Sequence, residues 1–272
     1  MSRTEDPAHP RLTLRSAVYG PSDVDLDDPA ELYHEASKIS PALARRQTQG
    51  IVRLAHSPAL QAAALRSVRR NLQLPVVELP PAAPLEPQLG AVLAARRSAR
   101  ELDGRCLRLS SLATLLDAGY GTSAPGRRVV PSGGALYPLE LYPVLLRVAG
   151  ASPGVFHFDP VRRVLEILRL DDVRHELERT SAFPELVRGT AAVVFLTGVF
   201  WRTRFKYGLR GYRFALLEAG HIAQNVLLAA TARGVPALPL GGFYDARVEE
   251  LLDVDGVDES PVYAIALGGD GG

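Results

Sequence analysis

The chain has 272 residues, of which 47% are hydrophobic, so it can bury a sizeable core in one large domain or in one domain with an appendage. Its 31 basic and 30 acidic side chains leave a net charge of +1, which gives no reason to expect nucleic acid or another polyanion as a partner. The single cysteine, Cys106, excludes an internal disulfide and a cysteine-rich metal site, and it fits a reducing cytoplasm.

The N-terminal segment, residues 1–20, is polar and is interrupted by Pro7 and Pro10, so it lacks the apolar core of a signal peptide. The apolar runs 191–200 and 226–232 are shorter than the roughly 20 residues that a membrane-spanning helix needs. We therefore expect a soluble, cytoplasmic protein without a membrane-bound part.

The first 30 residues mix Pro, Ser and Asp and are expected to be irregular, whereas residues 31–74 carry Ala, Leu, Arg and Gln at helical spacing. Ser57 followed by Pro58 is typical of an N-cap and a first helical residue. Five prolines between positions 75 and 87 then exclude a helix or a central strand and favour a linker or surface strap over a PxxP ligand. We predict an N-terminal helical region with a Pro-rich linker at 1–87 and a globular domain at 88–272.

Helix and strand patterns alternate in the globular domain, which predicts a mixed arrangement of the two. The predicted helices are 110–118, 171–180 and 212–233. The predicted strands are 139–148, 155–158, 164–170, 191–199 and 262–267.

Three arginines and a serine lie close together after the linker: Arg96, Arg97, Ser98 and Arg100. Guanidinium groups donate paired, charge-assisted hydrogen bonds to phosphate, so the cluster predicts an anion site. A solvated helix face is an equally good explanation of the cluster by itself.

Two glycine-rich segments let the backbone approach a ligand closely. The first, 130–138, places Ser132 and two glycines between prolines, and its hydroxyl and amide groups can donate to a ligand. The second, 239–243, repeats this arrangement after an apolar helix. Ordinary turns would explain both sets of glycines equally well.

Lys206 and Tyr207 are adjacent titratable residues in a cation-rich segment. A lysine or tyrosine acts as a base near neutral pH only where burial or a neighbouring cation lowers its pKa. Arg204 and Arg210 are the neighbouring cations that could do so, whereas in a surface loop they would, with Arg202 and Arg213, merely be solvated. Taken alone, the segment is better explained as a solvated cationic loop. Trp201 and Phe205 could cover a pocket, although core packing is the expected use of isolated aromatic residues.

A long apolar helix also carries four polar residues at helical spacing: Glu218, His221, Gln224 and Asn225. They predict a polar stripe that lines a site or bridges two subunits, because buried polar groups need partners. Glu218 and His221 could imitate a metal pair, but no third ligand has a suitable spacing. We expect no metal.

Five motifs follow one another in the order RRSxR, PSGGALYPLE, KYGLRGYR, EAGHIAQN and LPLGGF. Together they resemble the nitroreductase superfamily, and in detail its SagB-type dehydrogenase branch, over residues 88–267. The segment 33–38 is also similar to the N-terminal part of that branch. The resemblance implies an α+β fold in which helices flank a central mixed, mainly antiparallel sheet, with a small helical N-terminal region.

The same resemblance implies a homodimer that holds FMN at the subunit interface. The resemblance assigns the FMN phosphate, ribityl chain and pyrimidine edge to Arg96, Arg97, Ser98 and Arg100. It assigns the loop that the partner subunit lends to the flavin to Ser132, Gly133 and Ala135. The loop near flavin N5 is assigned to Pro239, Gly241 and Gly242. A donor at N5 and positive charge near the pyrimidine stabilise reduced flavin, which makes this assignment chemically reasonable.

In the SagB-type branch, a Lys-Tyr pair at the position of Lys206 and Tyr207 is associated with proton abstraction. The resemblance therefore implies an FMN-dependent dehydrogenase that oxidises azolines (thiazolines or oxazolines) to azoles in a ribosomally made peptide, or on a carrier-bound intermediate, and passes electrons to dioxygen. We expect the N-terminal helical region to bind the peptide or a cyclodehydratase partner. Two alternatives stay open, a general NAD(P)H-dependent nitro or quinone reductase and a flavin-free scaffold that binds a biosynthetic partner.

Overall fold

The computed structural model describes residues 29–39, 49–65 and 71–271. The chain divides into two units, Met1–Lys38 and Ile39–Gly272. In the first unit the described residues form one helix, α1 (Pro29–Ala36), and the Ser37 hydroxyl donates a hydrogen bond to the Tyr33 carbonyl at 2.6 Å as this helix ends. Residues 1–28, most of the segment predicted to be irregular, lie outside the described part.

Two short helices come first among the described elements of the second unit, α2 (Gln49–His56) and α3 (Pro58–Leu65). Ser57 separates them, and its hydroxyl accepts a hydrogen bond from the Leu60 amide at 3.3 Å. This is the interaction of an N-cap residue, which satisfies one of the free amides at a helix start. The predicted start of α3 at Pro58 is confirmed.

The core of the second unit is a seven-stranded sheet in which every pair of neighbouring strands is antiparallel. Its strands are β1 (Val76–Glu78), β5 (Leu139–Leu145), β7 (Gly154–Asp159), β8 (Val164–Leu170), β9 (Ala192–Gly198), β10 (Ala237–Leu240) and β11 (Ser260–Leu267). They lie in the order β1-β8-β7-β5-β9-β11-β10. Two small pairs lie outside it, formed by β2 (Leu107–Arg108) with β6 (Val148–Ala149) and by β3 (Thr122–Ala124) with β4 (Arg127–Arg128).

The proline-rich segment supplies the edge strand β1, in which Val76 pairs with Glu166 and Glu78 with Val164. Proline has no amide hydrogen for a sheet ladder, so a segment bounded by prolines is suited to an edge rather than to the centre. The segment predicted as a linker therefore contributes to the sheet. The boundary between residues 87 and 88 stays a prediction.

Helices cover both faces of the sheet because side chains alternate along each strand. Leu139, Leu141 and Leu145 of β5 face one core cluster, and Tyr142 and Val144 face the other. The first cluster is closed by α5 (Leu109–Tyr120) and α9 (Arg210–Arg233), and the second by α6 (Arg174–Thr180) and α10 (Asp245–Leu252). The remaining helices are α4 (Leu89–Ala95), α7 (Glu185–Arg188) and α8 (Trp201–Tyr207).

The fold confirms the predicted α+β class and most of the predicted elements. Strand β8 has the predicted bounds, and α9 begins two residues before the predicted helix 212–233. Helix α8 was not predicted, because its cations were explained as a solvated loop. Within the ranges that the structure describes, no helix is long and apolar enough to cross a membrane.

Candidate active site

The glycine-rich loop that precedes β5 has a strained backbone. Gly134 has φ +69, and Ala135 (φ 54) and Tyr137 (φ 45) also adopt the left-handed conformation that is unfavourable for residues other than glycine. Ser132 holds this loop together, because its carbonyl accepts a hydrogen bond from the Ala135 amide at 3.1 Å and its hydroxyl accepts one from the Tyr137 amide at 2.9 Å. Strain that the surroundings maintain in this way is typical of a functional loop.

Lys206 and Tyr207, which we call the Lys-Tyr pair, lie beside this loop. A Cβ atom added to Gly134 would lie 2.5 Å from Lys206 Nζ and 2.6 Å from Tyr207 Oη, so both polar ends converge on this glycine. The Tyr207 ring packs edge-on against Phe214, with 5.0 Å between ring centroids. Phe214 also lies against Gly133, where an added Cβ would be 3.0 Å from its ring. The two glycines therefore leave the space that the Lys-Tyr pair and Phe214 occupy.

The Lys-Tyr pair belongs to the last turn of α8, whose first turn is firmly attached to the core. Arg202 forms an ion pair with Glu140 of β5, with 2.5 Å between the guanidinium nitrogen and Oε1. The Thr203 hydroxyl donates a hydrogen bond to the Gly211 carbonyl at 2.9 Å. The explanation as a solvated cationic loop is wrong, since the segment is helical and the Arg202 side chain is only 15% exposed.

Glu218 of α9 lies behind the same loop and is buried. Its Oε1 accepts a hydrogen bond from the Tyr120 hydroxyl at 3.1 Å, whereas Oε2 has no hydrogen-bond partner in the described part of the chain. Burial raises the pKa of Glu218 to about 7, although the hydroxyls of Ser132 and Tyr120 and the guanidiniums of Arg128 and Arg202 act to lower it. The Glu218 carboxyl therefore gains or loses its proton near neutral pH.

The four polar residues of α9 differ in exposure, and one expectation about the aromatic residues of α8 is wrong. Glu218 faces the core while His221 and Gln224 are exposed, so the predicted polar stripe does not share one environment. Residues three apart on a helix differ in direction by roughly 60°, because three residues fall short of one full turn. Two such steps separate Gln224 from Glu218, so Gln224 points away from the buried face. Trp201 is 56% exposed, with the Arg204 guanidinium carbon 4.6 Å from its ring centroid, so it does not pack in the core.

The arginine cluster lies elsewhere, beside the edge strand β10. The Ala99 amide donates a hydrogen bond to the Ala237 carbonyl at 2.9 Å, so segment 96–100 reaches the start of β10. A cavity of ≈ 290 Å³ opens there and includes Arg97 and Ser98 in its lining. Arg97 and Arg100 are exposed, and none of the cluster's guanidiniums pairs with a carboxylate of the described residues.

Gly241 and Gly242 follow the other end of β10. The length of this four-residue strand, roughly 13 Å, separates them from the arginine cluster. A Cβ atom added to Gly241 would meet no atom within 4 Å, so the space beside this backbone is open. Pro239 lies in the strand itself and pairs with Ile265 of β11.

The structure thus divides the predicted site residues into two groups. The edge group follows β10 and comprises Arg96, Arg97, Ser98, Arg100, Pro239, Gly241 and Gly242. The loop group lies before β5 and comprises Ser132, Gly133, Ala135, Lys206 and Tyr207. Strands β9 and β11 lie between β5 and β10, so three strand spacings, roughly 14 Å, separate the strand that follows the loop group from the strand along which the edge group lies.

Sequence reasoning missed Tyr120 and the ion pair of Arg202. Tyr120 and Arg202 reach Glu218 and Glu140 only through the fold, since each partner lies far away in the sequence. Glu218 itself was singled out by its place on an apolar helix, because a buried carboxyl needs a partner.

Comparison with known proteins identifies the family of this chain. Residues 93–269 match the model of the nitroreductase family. A protein of Methanocaldococcus jannaschii that is named as a nitroreductase is 35% identical over 199 residues, which cover 73% of this chain and 96% of that protein.

Two further relatives are processing proteins. The microcin B17-processing protein McbC of Escherichia coli is 31% identical over 163 residues, which cover 56% of this chain and 59% of McbC. The trifolitoxin-processing protein TfxB of Rhizobium leguminosarum is 30% identical over 153 residues, which cover 54% of this chain and 41% of TfxB. The matched regions therefore span less than two thirds of either processing protein.

Two solved structures share the fold. One is a protein of Anabaena variabilis named as a nitroreductase, with a TM-score of 0.65, 26% identity, and coverage of 74% of this chain and 45% of that chain. The other is the E. coli microcin synthetase McbBCD complex with truncated pro-MccB17 bound. Its matched chain has a TM-score of 0.59 and 25% identity, and the match covers 88% of this chain and 91% of that chain.

Proposed function

This chain belongs to the nitroreductase family, and we propose that it is an FMN-dependent dehydrogenase that oxidises azolines (thiazolines or oxazolines) to azoles in a peptide natural-product pathway. Family membership and the likeness to McbC and TfxB support a flavin-type oxidoreductase of the SagB type. The observation that carries the finer assignment is the Lys-Tyr pair, whose two polar ends converge on Gly134 in a strained glycine-rich loop.

The edge group has the chemistry that FMN requires. The guanidiniums of Arg96, Arg97 and Arg100 suit a phosphate, and the Ser98 hydroxyl lines the cavity beside them. The open backbone at Gly241, roughly 13 Å away along β10, suits the flat ring system at the other end of the cofactor. When bound, FMN supplies a two-electron acceptor for a hydride.

A homodimer would complete the site, since one chain keeps the edge group and the loop group apart. Helices α4 and α9 expose an apolar surface formed by Leu89, Leu93, Leu216 and Leu217. Apolar patches of this kind mark association surfaces, because leaving them in water is unfavourable. In our proposal a second copy covers this surface and lends Ser132, Gly133 and Ala135 to the flavin of the first.

The Lys-Tyr pair would hold the proton that azoline oxidation releases. Converting an azoline to an azole removes a hydride and a proton from the ring, so a base must stand on the substrate side of the flavin. Lys206 Nζ lies 5.0 Å from the Tyr207 ring centroid, and either polar end can therefore reach the same bound ring. In our proposal dioxygen would be the final acceptor of the two electrons that the oxidation releases.

We also propose a peptide or carrier-bound substrate and a cyclodehydratase partner. An azoline must be made by a dehydrating cyclisation before it can be oxidised, and this chain's family membership indicates only the oxidation. The likeness to a chain of the McbBCD complex with truncated pro-MccB17 bound, over 88% of the present chain, supports a multi-enzyme context.

The test is an absorbance spectrum followed by anaerobic mixing of the flavin-bound protein with a synthetic azoline peptide. We expect the azoline to bleach the flavin in the wild type and expect Lys206→Ala and Tyr207→Phe to slow bleaching by about 100-fold, a usual loss for a removed general base. The control is Arg169→Ala, in which an exposed cation on β8 is removed and the rate should not change.

Two outcomes would contradict the proposal. Bleaching by NAD(P)H alone, with no response to the azoline, would instead support a general nitro or quinone reductase. A colourless protein that added FMN cannot restore would support a flavin-free scaffold.

A further inference from the structure

Helix α2 lies directly against the last turn of α8 at Gly50. A Cβ atom added to Gly50 would overlap the carbonyl oxygens of Phe205 and Lys206. These obstacles are backbone atoms, which cannot rotate away as the end of a flexible side chain can. The approach of the two helices therefore requires glycine at position 50.

The turn that Gly50 contacts is the turn that carries the Lys-Tyr pair. Arg202 and Thr203 anchor the first turn of α8 to β5 and α9. The Gly208 amide donates to the Arg204 carbonyl, and the carbonyls of Phe205 and Lys206 lie at the end of the helix, where the adjoining backbone of α2 helps to set their position. A shift of this backbone would move Lys206 Nζ and Tyr207 Oη together, away from Gly134.

Helix α2 contributes little to a core of its own. None of its eight residues is buried, and Ile51 (38%) and Val52 (54%) are largely exposed. A helix this short is marginal in water and is stabilised mainly by what it packs against. Its contact with α8 is therefore its main structural role within the described residues.

We infer that α2 is a positioning element of the active site, which uses the close approach at Gly50 to fix the last turn of α8 and aim the Lys-Tyr pair at the substrate ring. The inference rests on the proposed function. Gly50 touches neither substrate nor cofactor, so it is a positioning residue. Helix α2 would thereby influence proton abstraction through the position of the Lys-Tyr pair, in addition to any role in binding a peptide or partner.

The variant that tests this is Gly50→Ala in the full-length, flavin-bound protein. Alanine is more favourable than glycine in a helix by about 1 kcal/mol, so a loss of activity cannot be attributed to melting of α2. We expect kcat for azoline oxidation to fall about 10-fold or more, because small misplacements of reacting groups have effects of this size, while KM and FMN content stay within about twofold of the wild type.

The matched control is Val52→Ala on the exposed side of the same helix. It should leave kcat and KM unchanged if α2 acts through Gly50. A raised KM in Val52→Ala, together with a normal kcat in Gly50→Ala, would overturn the inference and assign α2 to substrate binding.

A second measurement separates this inference from the proposed function. The Gly208 amide donates to the Arg204 carbonyl at 2.8 Å in the last turn of α8, and its hydrogen exchange reports on that turn. We expect exchange in segment 201–208 to accelerate in Gly50→Ala and not in Val52→Ala. If the wild type fails to oxidise azolines, the proposed function fails, but the exchange data still decide whether Gly50 fixes this turn. If the wild type is active and Gly50→Ala matches it in kcat and exchange, only the inference fails.

Discussion

Two buried polar regions of this protein satisfy their charges in opposite ways. The histidine region places His157 of β7 between Glu140 and Glu166, with Nε2 and Nδ1 at 2.9 and 2.8 Å from a carboxylate oxygen. The Glu218 region, behind the glycine-rich loop, leaves one carboxyl oxygen without a partner among the described residues. A fully paired network stabilises a scaffold, whereas an unpaired buried carboxyl marks a place where protonation can change during function.

The histidine region is paired on every side. Burial alone would lower the pKa of His157, but its hydrogen bonds to Glu140 and Glu166 outweigh this effect and raise that pKa to about 9. Arg202 pairs with the other oxygen of Glu140, and Asn71 donates to both oxygens of Glu166 at 2.8 and 2.9 Å. The imidazolium therefore lies between two carboxylates that are themselves satisfied.

The largest effect should come from breaking the histidine region with Glu140→Ala. This change leaves the Arg202 guanidinium without its carboxylate and removes one of the two counter-charges of the His157 imidazolium, and we expect a loss of about 3–5 kcal/mol in the free energy of unfolding. Urea denaturation at pH 7 measures it. The control, Arg169→Ala, removes an exposed ion pair with Glu176 and should cost less than about 1 kcal/mol. Equal losses in the two variants would show that the histidine region is not a scaffold.

The next effect concerns the pH dependence of stability and should distinguish the two regions. The pKa of Glu218 rises from 4.5 to about 7 on folding, so the folded protein binds this proton more tightly and loses stability as pH rises from 4.5 to 7. The loss amounts to about 3 kcal/mol. Glu218→Gln cannot ionise and should abolish the decline, as urea unfolding at pH 5 and pH 7.5 would show.

The histidine region provides an internal control for that experiment. His157 has a pKa of about 9 in the folded protein against an ordinary value of 6.5, so its stabilising contribution is complete below pH 6.5 and is lost as pH rises through 9. Glu218→Gln should keep this second decline. Parallel stability curves for the wild type and the variant over the whole range would contradict the role given to Glu218.

The smallest effect should come from Tyr120→Phe, which removes the hydroxyl that donates to Glu218 Oε1. Leaving the carboxyl without this donor should cost about 1–3 kcal/mol, and more above pH 7 than below because the ionised form needs the donor more. The double variant Tyr120→Phe with Glu218→Gln checks the cause. If the loss is the same in both backgrounds, the hydroxyl does not act through the carboxyl.

The sequence predicted much of the fold but less of the site. Strand β8, helix α9 and the Ser57 cap follow from patterns within a few residues, and the structure confirms them. Helix α8 was missed because a run of cations is also typical of a solvated loop. Its anchored first turn depends on the ion pair of Arg202 with Glu140, which is distant in the sequence. The assignments of individual residues to FMN and to proton abstraction remain predictions.

The sequence by itself determined the family, the order of its motifs and the local elements, because periodicity, caps and turn residues act between near neighbours in the chain. The tertiary structure alone decided that Lys206 and Tyr207 converge on Gly134, that Gly50 approaches the backbone of α8, and that Glu218 is buried with an unpaired oxygen. Burial and close approach depend on contacts between segments that are distant in sequence, and the pKa of a buried group depends on all the charges and dipoles that folding brings around it.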